Sequence, residues 1–155
     1  MWNKQKKAKS NKTKQSKYPM KDISIDELKK SIREYSSNLS KSIPLSVIIN
    51  DDLSINYQLL APILKAFPEN QYYMSRETYE IFKEEDYQLA VNLDKIQLAV
   101  DRYLEQTNKL PVISGDPYKK VSFYKLEKLD LIDERPDEEF YITDEENLIT
   151  YNKPS

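Results

Sequence analysis

Leu89-Ala90-Val91-Asn92-Leu93-Asp94-Lys95-Ile96-Gln97-Leu98-Ala99-Val100-Asp101-Arg102-Tyr103 is the stretch that decides the fold. Leu89, Leu93, Ile96, Val100 and Tyr103 recur at spacings of four, three, four and three. Side chains so spaced share one face of a helix with 3.6 residues per turn, so the pattern predicts a long central helix packed through that stripe. Asn108 can adopt the left-handed conformation that ends a helix, and Pro111 forbids continuation. Upstream, Ser75 can cap a helix from Arg76 to Glu85. Neither proline nor glycine separates Arg76 from Leu110, so the spacing is equally compatible with one bent helix and with two over 76–108.

Working outward from that helix, the N-terminal side opens with a capping box. Ser24 stands three residues before Glu27, with Ile23 and Leu28 as a hydrophobic staple, and Leu28, Ile32, Tyr35 and Leu39 continue the stripe. Pro44 should hold the preceding residue out of helical space, and the β-branched run Leu45 to Ile49 predicts a strand. Asn50, Asp51 and Asp52 read as a turn. They imitate the start of a calcium loop, but Ile55 and Ala61 stand where the loop needs glycine and a bidentate glutamate. Tyr57 to Leu64 is a short helix candidate capped by Asn56 and interrupted by Pro62. On the C-terminal side, Gly115, Asp116 and Pro117 mark a bend, Ser122 to Leu131 a short helix, and Phe140 to Thr143 with Leu148 to Tyr151 a β-hairpin. The order predicts an α+β fold: a single domain over residues 22–153 with an N-terminal capped helix, a long central helix, short strands and a C-terminal β-hairpin.

Charge is unevenly distributed. Residues 1–21 carry Lys4, Lys6, Lys7, Lys9, Lys12, Lys14, Lys17 and Lys21 and no acid, a net of +8, whereas residues 127–146 sum to −8. Between Asn3 and Lys17 the only apolar residue is one alanine, so ordering the segment would bury almost nothing against roughly 1–2 kcal/mol per residue of backbone entropy. Residues 1–21 are therefore expected to be a disordered basic arm. Its lysines are the candidate electrostatic contacts, toward nucleic acid, an anionic surface, or the acidic C-terminal region of the chain itself. No apolar run long enough for a signal peptide or a transmembrane helix is present, and the expected location is the cytoplasm.

Composition closes most catalytic chemistries. The chain has no histidine, no cysteine and one glycine, Gly115. The commonest general base, thiolate and imidazole metal ligands, disulfides, P-loops and nucleotide-binding glycine fingerprints are all unavailable. Ser122-Phe123-Tyr124-Lys125 matches the S-x-x-K of serine acylases without the accompanying SDN and KTG elements. No catalytic residue, cofactor or metal ligand is assigned.

Two segments, Tyr72-Tyr73-Met74-Ser75-Arg76-Glu77-Thr78-Tyr79-Glu80-Ile81-Phe82 and Leu110-Pro111-Val112-Ile113-Ser114-Gly115-Asp116-Pro117-Tyr118-Lys119-Lys120, resemble a family of small uncharacterised proteins from spore-forming Gram-positive bacteria. The resemblance extends from Asp22 to Lys153. It implies a cytosolic bacterial housekeeping or regulatory protein, and it brings no activity, ligand or catalytic residue with it.

Three function classes follow. The leading expectation is a non-enzymatic protein-binding or regulatory module whose arm adds an electrostatic contact. A winged-helix-like nucleic-acid binder over residues 118–151 is the first alternative, with Lys119, Lys120, Lys125 and Lys128 on a recognition helix from Tyr118 to Asp130 and the hairpin as wing. Against it, the acids of 127–146 would repel phosphate. An enzyme built on carboxylates is the second alternative, in which the acids after Glu127 could hold a divalent ion.

Overall fold

The structure, a computed structural model, describes residues 17–153. Residues 1–16, most of the expected arm, lie outside them. The chain divides into two compact units, with the boundary between Tyr73 and Met74.

In the first unit, helix α1 (Ile25–Ser37) starts where the capping box predicts. Ser24 Oγ accepts the Glu27 amide at 3.1 Å, and the Glu27 carboxylate closes on the same hydroxyl at 3.3 Å. Leu28 and Ile32 are buried along the stripe, each contributing about 1.5–3 kcal/mol of apolar burial. The helix stops at Asn38, whose side chain donates back to the Glu34 carbonyl, so Leu39 lies beyond it.

The strand expected over Leu45 to Ile49 is not formed. Leu45–Ile48 is a short 3₁₀ turn, held by Val47 N–H to the Pro44 carbonyl and Ile49 N–H to the Ser46 carbonyl, and only Ile49 bridges, to Ile55. β-branching favours burial on a pleated surface, and here Ile48 and Ile49 achieve burial from a tight turn instead. The Asn50–Ser54 loop is a turn, as read. Asp52 accepts the Ser54 amide and hydroxyl, and those bonds hold its carboxyl below the usual aspartate range.

Helix α2 (Tyr57–Leu64) begins at Asn56, whose side-chain oxygen accepts the Gln58 amide, keeps Pro62 inside, and ends at Lys65 in the left-handed region. It packs on α1. Beyond it, strand β1 (Met20–Lys21) pairs in parallel with β2 (Phe67–Pro68). This corrects the expected end of the disordered arm at residue 21. Phe67 N–H donates to the Pro19 carbonyl, Glu69 N–H to the Lys21 carbonyl, and the Tyr18 ring meets Phe67 edge-on at 6.2 Å. The backbone and Tyr18 supply the ordering contacts, so side-chain composition could not reveal them. Tyr72 O–H donates to the Ile23 carbonyl, and Tyr57 O–H, pushed up to about 12 by burial, donates to the Asn70 carbonyl while accepting the Tyr72 amide.

Strand β3 (Tyr72–Met74) carries the chain across the boundary. In the second unit, the helix expected from Arg76 to Glu85 is replaced by one turn, strand β4 (Ile81–Lys83) and a 3₁₀ turn (Glu84–Asp86). Ser75 does cap, its hydroxyl accepting the Thr78 amide at 3.0 Å, but Tyr79 takes φ 61° and ends the helical path after that turn. Helix α3 (Tyr87–Thr107) then runs the full length of the periodic stretch and terminates at Asn108 in the left-handed region, as predicted. Leu93, Ile96 and Val100 are buried, joined by Ala90, Gln97 and Ala99.

After α3 the chain bends at Gly115, where φ is 81°, so that 111–113 and 120–122 lie side by side through Ile113 N–H to the Lys120 carbonyl and Ser122 N–H to the Pro111 carbonyl. Helix α4 (Phe123–Lys128) is capped by Ser122 and is shorter than predicted. The C-terminal hairpin forms from β5 (Tyr141–Ile142) and β6 (Ile149–Thr150), antiparallel, around a loop with Glu146 and Asn147 both left-handed. Val121 N–H donates to the Phe140 carbonyl and Ile142 N–H to the Lys119 carbonyl, laying the hairpin against the Gly115 bend. The architecture is α+β, with four α-helices and short paired strands among the described residues.

Candidate functional site

Of the lysines named in the arm, Lys4, Lys6, Lys7, Lys9, Lys12 and Lys14 lie outside the described residues. Lys17 places its ammonium 5.6 Å from the Tyr18 ring centre, and Lys21 stands exposed on β1.

The recognition helix of the winged-helix reading is not built. Lys119 and Lys120 precede α4, and each holds an acid of the hairpin region, Lys119 to Asp144 at 2.8 Å and Lys120 to Glu139 at 2.6 Å. Lys125 donates to the Val112 carbonyl at 2.8 Å, and Lys128 lies over the Tyr124 ring. Four cations that would have to meet phosphate are turned to partners within the same unit. The S-x-x-K pair fails on the same geometry: Ser122 Oγ accepts the Lys125 amide as a helix cap, while the Lys125 ammonium is spent on Val112.

The acids after Glu127 do not converge. Glu127 forms a two-pronged pair with Arg135 at 3.0 and 2.7 Å, Glu138 accepts from Asn92 at 2.9 Å, and Glu139 from Lys120 and the Tyr141 hydroxyl. Those partners hold Glu127, Glu139 and Asp144 below the usual carboxylate range, through Arg135, Lys120 and Lys119 respectively. Among the described residues no group of three or more acids is arranged to hold a metal ion.

The polar residues of α3 organise the unit instead. Asp94 accepts from the Ser75 hydroxyl, from the Arg76 amide at 2.9 Å and from the Glu77 amide at 3.2 Å, fastening the Ser75–Glu80 loop to the helix. Burial, with Asp94 and Asp101 nearby, pushes the Glu77 carboxyl up. One turn further on, buried Gln97 accepts the Ile149 amide at 2.8 Å and donates to the Asn147 carbonyl at 3.2 Å and to Asp101 at 3.1 Å. Sequence reasoning passed over both residues. Their signal was present: Asp94 and Gln97 are three apart, beside the apolar stripe, where a polar side chain must find partners.

A cleft of about 790 Å³ opens along another face of α3, against residues 130–137. Half-buried Leu131, Ile132 and Pro136 give it some apolar surface, whereas Ile96 and Ala99, which also line it, are almost fully buried. On the helix side the rim carries exposed Lys95 and Arg102, with Leu98 between them 40% exposed. On the loop side it carries exposed Asp130, Asp133, Glu134 and Asp137. None of these six charges forms an ion pair among the described residues. Arg135 and Asn92 also line the cleft, and each fixes the loop wall through a partner that does not, Arg135 through its ion pair with Glu127 and Asn92 through Glu138. Asp130 in the left-handed region and Leu131 N–H on the Leu126 carbonyl set where it leaves α4.

A family described as "Protein of unknown function (DUF3939)" matches residues 18–151. The chain belongs to this family. The match bears out the sequence-based resemblance to an uncharacterised family and starts at Tyr18, where the ordered contacts of β1 begin. No curated protein and no solved structure is significantly similar to the chain. For this DUF3939 member the cleft and the polar ties of α3 are thus the available guides to function. Among the described residues no helix is long and apolar enough to cross a membrane.

Proposed function

We propose that this DUF3939 chain is a non-enzymatic protein-binding module of the cytoplasm, acting through the cleft beside α3 as part of one α+β domain over residues 22–153. The observation that carries this reading is a preformed, open cleft with an apolar patch at Leu131, Ile132 and Pro136 and six rim charges that form no ion pair among the described residues. Unpaired rim charges cost little in water and become useful when a partner brings their complements, setting association rate and specificity. Exposed Leu98 between Lys95 and Arg102 offers apolar area at the same place. In this reading the lysines of the arm add a salt-dependent contact with nucleic acid or an anionic surface.

The test is site-directed capture. A photo-crosslinking residue at position 98 of the full chain is expected to trap a discrete partner, and Lys95→Glu with Arg102→Glu is expected to abolish the trapping while leaving the far-UV circular dichroism unchanged. Identical adducts from the wild-type and charge-reversed chains would overturn the proposal.

A further inference from the structure

We infer that the segment entering this cleft is an extended peptide in which acidic and basic side chains alternate. The inference rests on the binding-module reading and names the chemistry of its partner. The two rims are of opposite sign: Lys95 and Arg102 on the helix, and Asp130, Asp133, Glu134 and Asp137 on the loop, whose one cation, Arg135, is paired with Glu127. A segment of one sign would satisfy one rim and be repelled by the other, and like charges brought together discriminate strongly against the wrong partner. An extended chain resolves the conflict, because its successive side chains point to opposite sides. Acids at every second position then face Lys95 and Arg102 while the intervening basic residues face the loop.

The spacing of the helix-side charges agrees with that occupant. Lys95 and Arg102 are seven residues apart on α3, which is about 10 Å along the axis. Side chains on one side of an extended segment recur about every 7 Å, a difference that the length of lysine and arginine side chains absorbs. Half-buried Leu131, Ile132 and Pro136 contribute apolar contact to whatever backbone lies over them.

The experiment uses the full chain and three labelled, end-capped peptides of about eight residues: alternating Glu and Lys, alternating Glu and Ser, and alternating Lys and Ser. Fluorescence anisotropy is expected to show the Glu/Lys peptide binding about tenfold more tightly than either of the others. Reversing one rim should switch the preference. Lys95→Glu with Arg102→Glu makes both rims acidic and should favour the Lys/Ser peptide, whereas Asp133→Lys, Glu134→Lys and Asp137→Lys together leave only Asp130 acidic on the loop rim and should favour the Glu/Ser peptide. Combining all five substitutions restores opposed rims and should restore the Glu/Lys preference. That recovery cannot come from a damaged fold. Wild-type binding of Lys/Ser as tight as Glu/Lys, or Glu/Lys binding indifferent to both rim reversals, overturns the inference. If no peptide binds while crosslinking at position 98 still traps a rim-dependent partner, the alternating-segment chemistry falls and the binding module stands.

Discussion

Replacing Gln97 by leucine should be among the most destabilising single changes in the second unit. Its side chain is 2% exposed, accepts the Ile149 amide at 2.8 Å, and donates to the Asn147 carbonyl at 3.2 Å. Leucine fills the space and leaves both backbone groups without a partner, and Ile149 is itself buried. Each orphaned buried group costs about 1–3 kcal/mol, and the added apolar burial recovers part of this, for a net loss of about 2–4 kcal/mol. For a chain of this size that corresponds to a fall in Tm on the order of 10 °C.

Gln97→Glu separates the two bonds. Ionised glutamate still accepts from Ile149 but cannot donate to Asn147, and it faces Asp101, the residue Gln97 now donates to at 3.1 Å. Protonated, it can donate again. The introduced carboxyl has a folded pKa raised by burial and by Asp101, so its stabilising neutral form is present below the unfolded pKa and lost as pH rises through the folded one. The deficit of Gln97→Glu against wild type should therefore be smaller near pH 4 than near pH 7.5. Urea unfolding at both pH values, with hydrogen exchange at the Ile149 amide, measures it. Gln97→Leu unfolding within about 0.5 kcal/mol of wild type, with Ile149 protection unchanged, would refute the assignment of Gln97 as the tie between α3 and the hairpin.

Asp94→Asn should cost about 2–3 kcal/mol, because an amide cannot replace a carboxylate that accepts from Ser75, Arg76 and Glu77, and limited proteolysis should then cut first within Ser75–Glu80. Wild-type proteolysis of that variant would contradict the account. Ser122→Ala should cost about 1 kcal/mol through loss of the cap on α4, and wild-type Ser122 should resist fluorophosphonate labelling, since Lys125 is committed to Val112; stoichiometric labelling would revive acyl chemistry. In a carboxylate NMR titration, Glu127 and Glu139 should titrate below the ordinary 4.5 and Glu77 above it. By linkage, the stability from Glu127 and Glu139 is present above their unfolded pKa and lost as pH falls through the lowered folded values. Glu77 acts in the opposite sense, favouring the folded state in acid and less so as pH rises through its raised value. The reverse order of titration would contradict the pairing of Glu139 with Lys120.

Local chemistry was legible wherever a single segment carried its own instruction. Ser24 and Glu27, Asn56, the α3 stripe, Asn108, the Gly115 bend and the Phe140–Tyr151 hairpin all appear where the residues place them. Those features depend on contacts within a few residues. The misreadings share the opposite cause. Arg76 to Glu85 has no helix breaker, yet Asp94, far along the chain, takes its backbone amides and Tyr79 turns left-handed. Leu45 to Ile49 reads as a strand, yet the one partner available to it bridges only Ile49. Tyr18 to Lys21 reads as part of the arm, yet Phe67 and Pro68 offer it an edge.

The candidate site was less legible still, because its rims come from two stretches that look alike from the sequence: a solvated helix face and an acidic run. By itself the sequence determined the element types near their caps, the closure of histidine, cysteine and glycine-rich chemistries, and the charge of each segment, since these follow from composition and short-range bonding. Only the tertiary structure decided which charges are neutralised and which are free. Lys119, Lys120 and Arg135 fall within reach of carboxylates, whereas Lys95 and Arg102 face theirs across an open cleft, and that difference depends on distances no single segment contains.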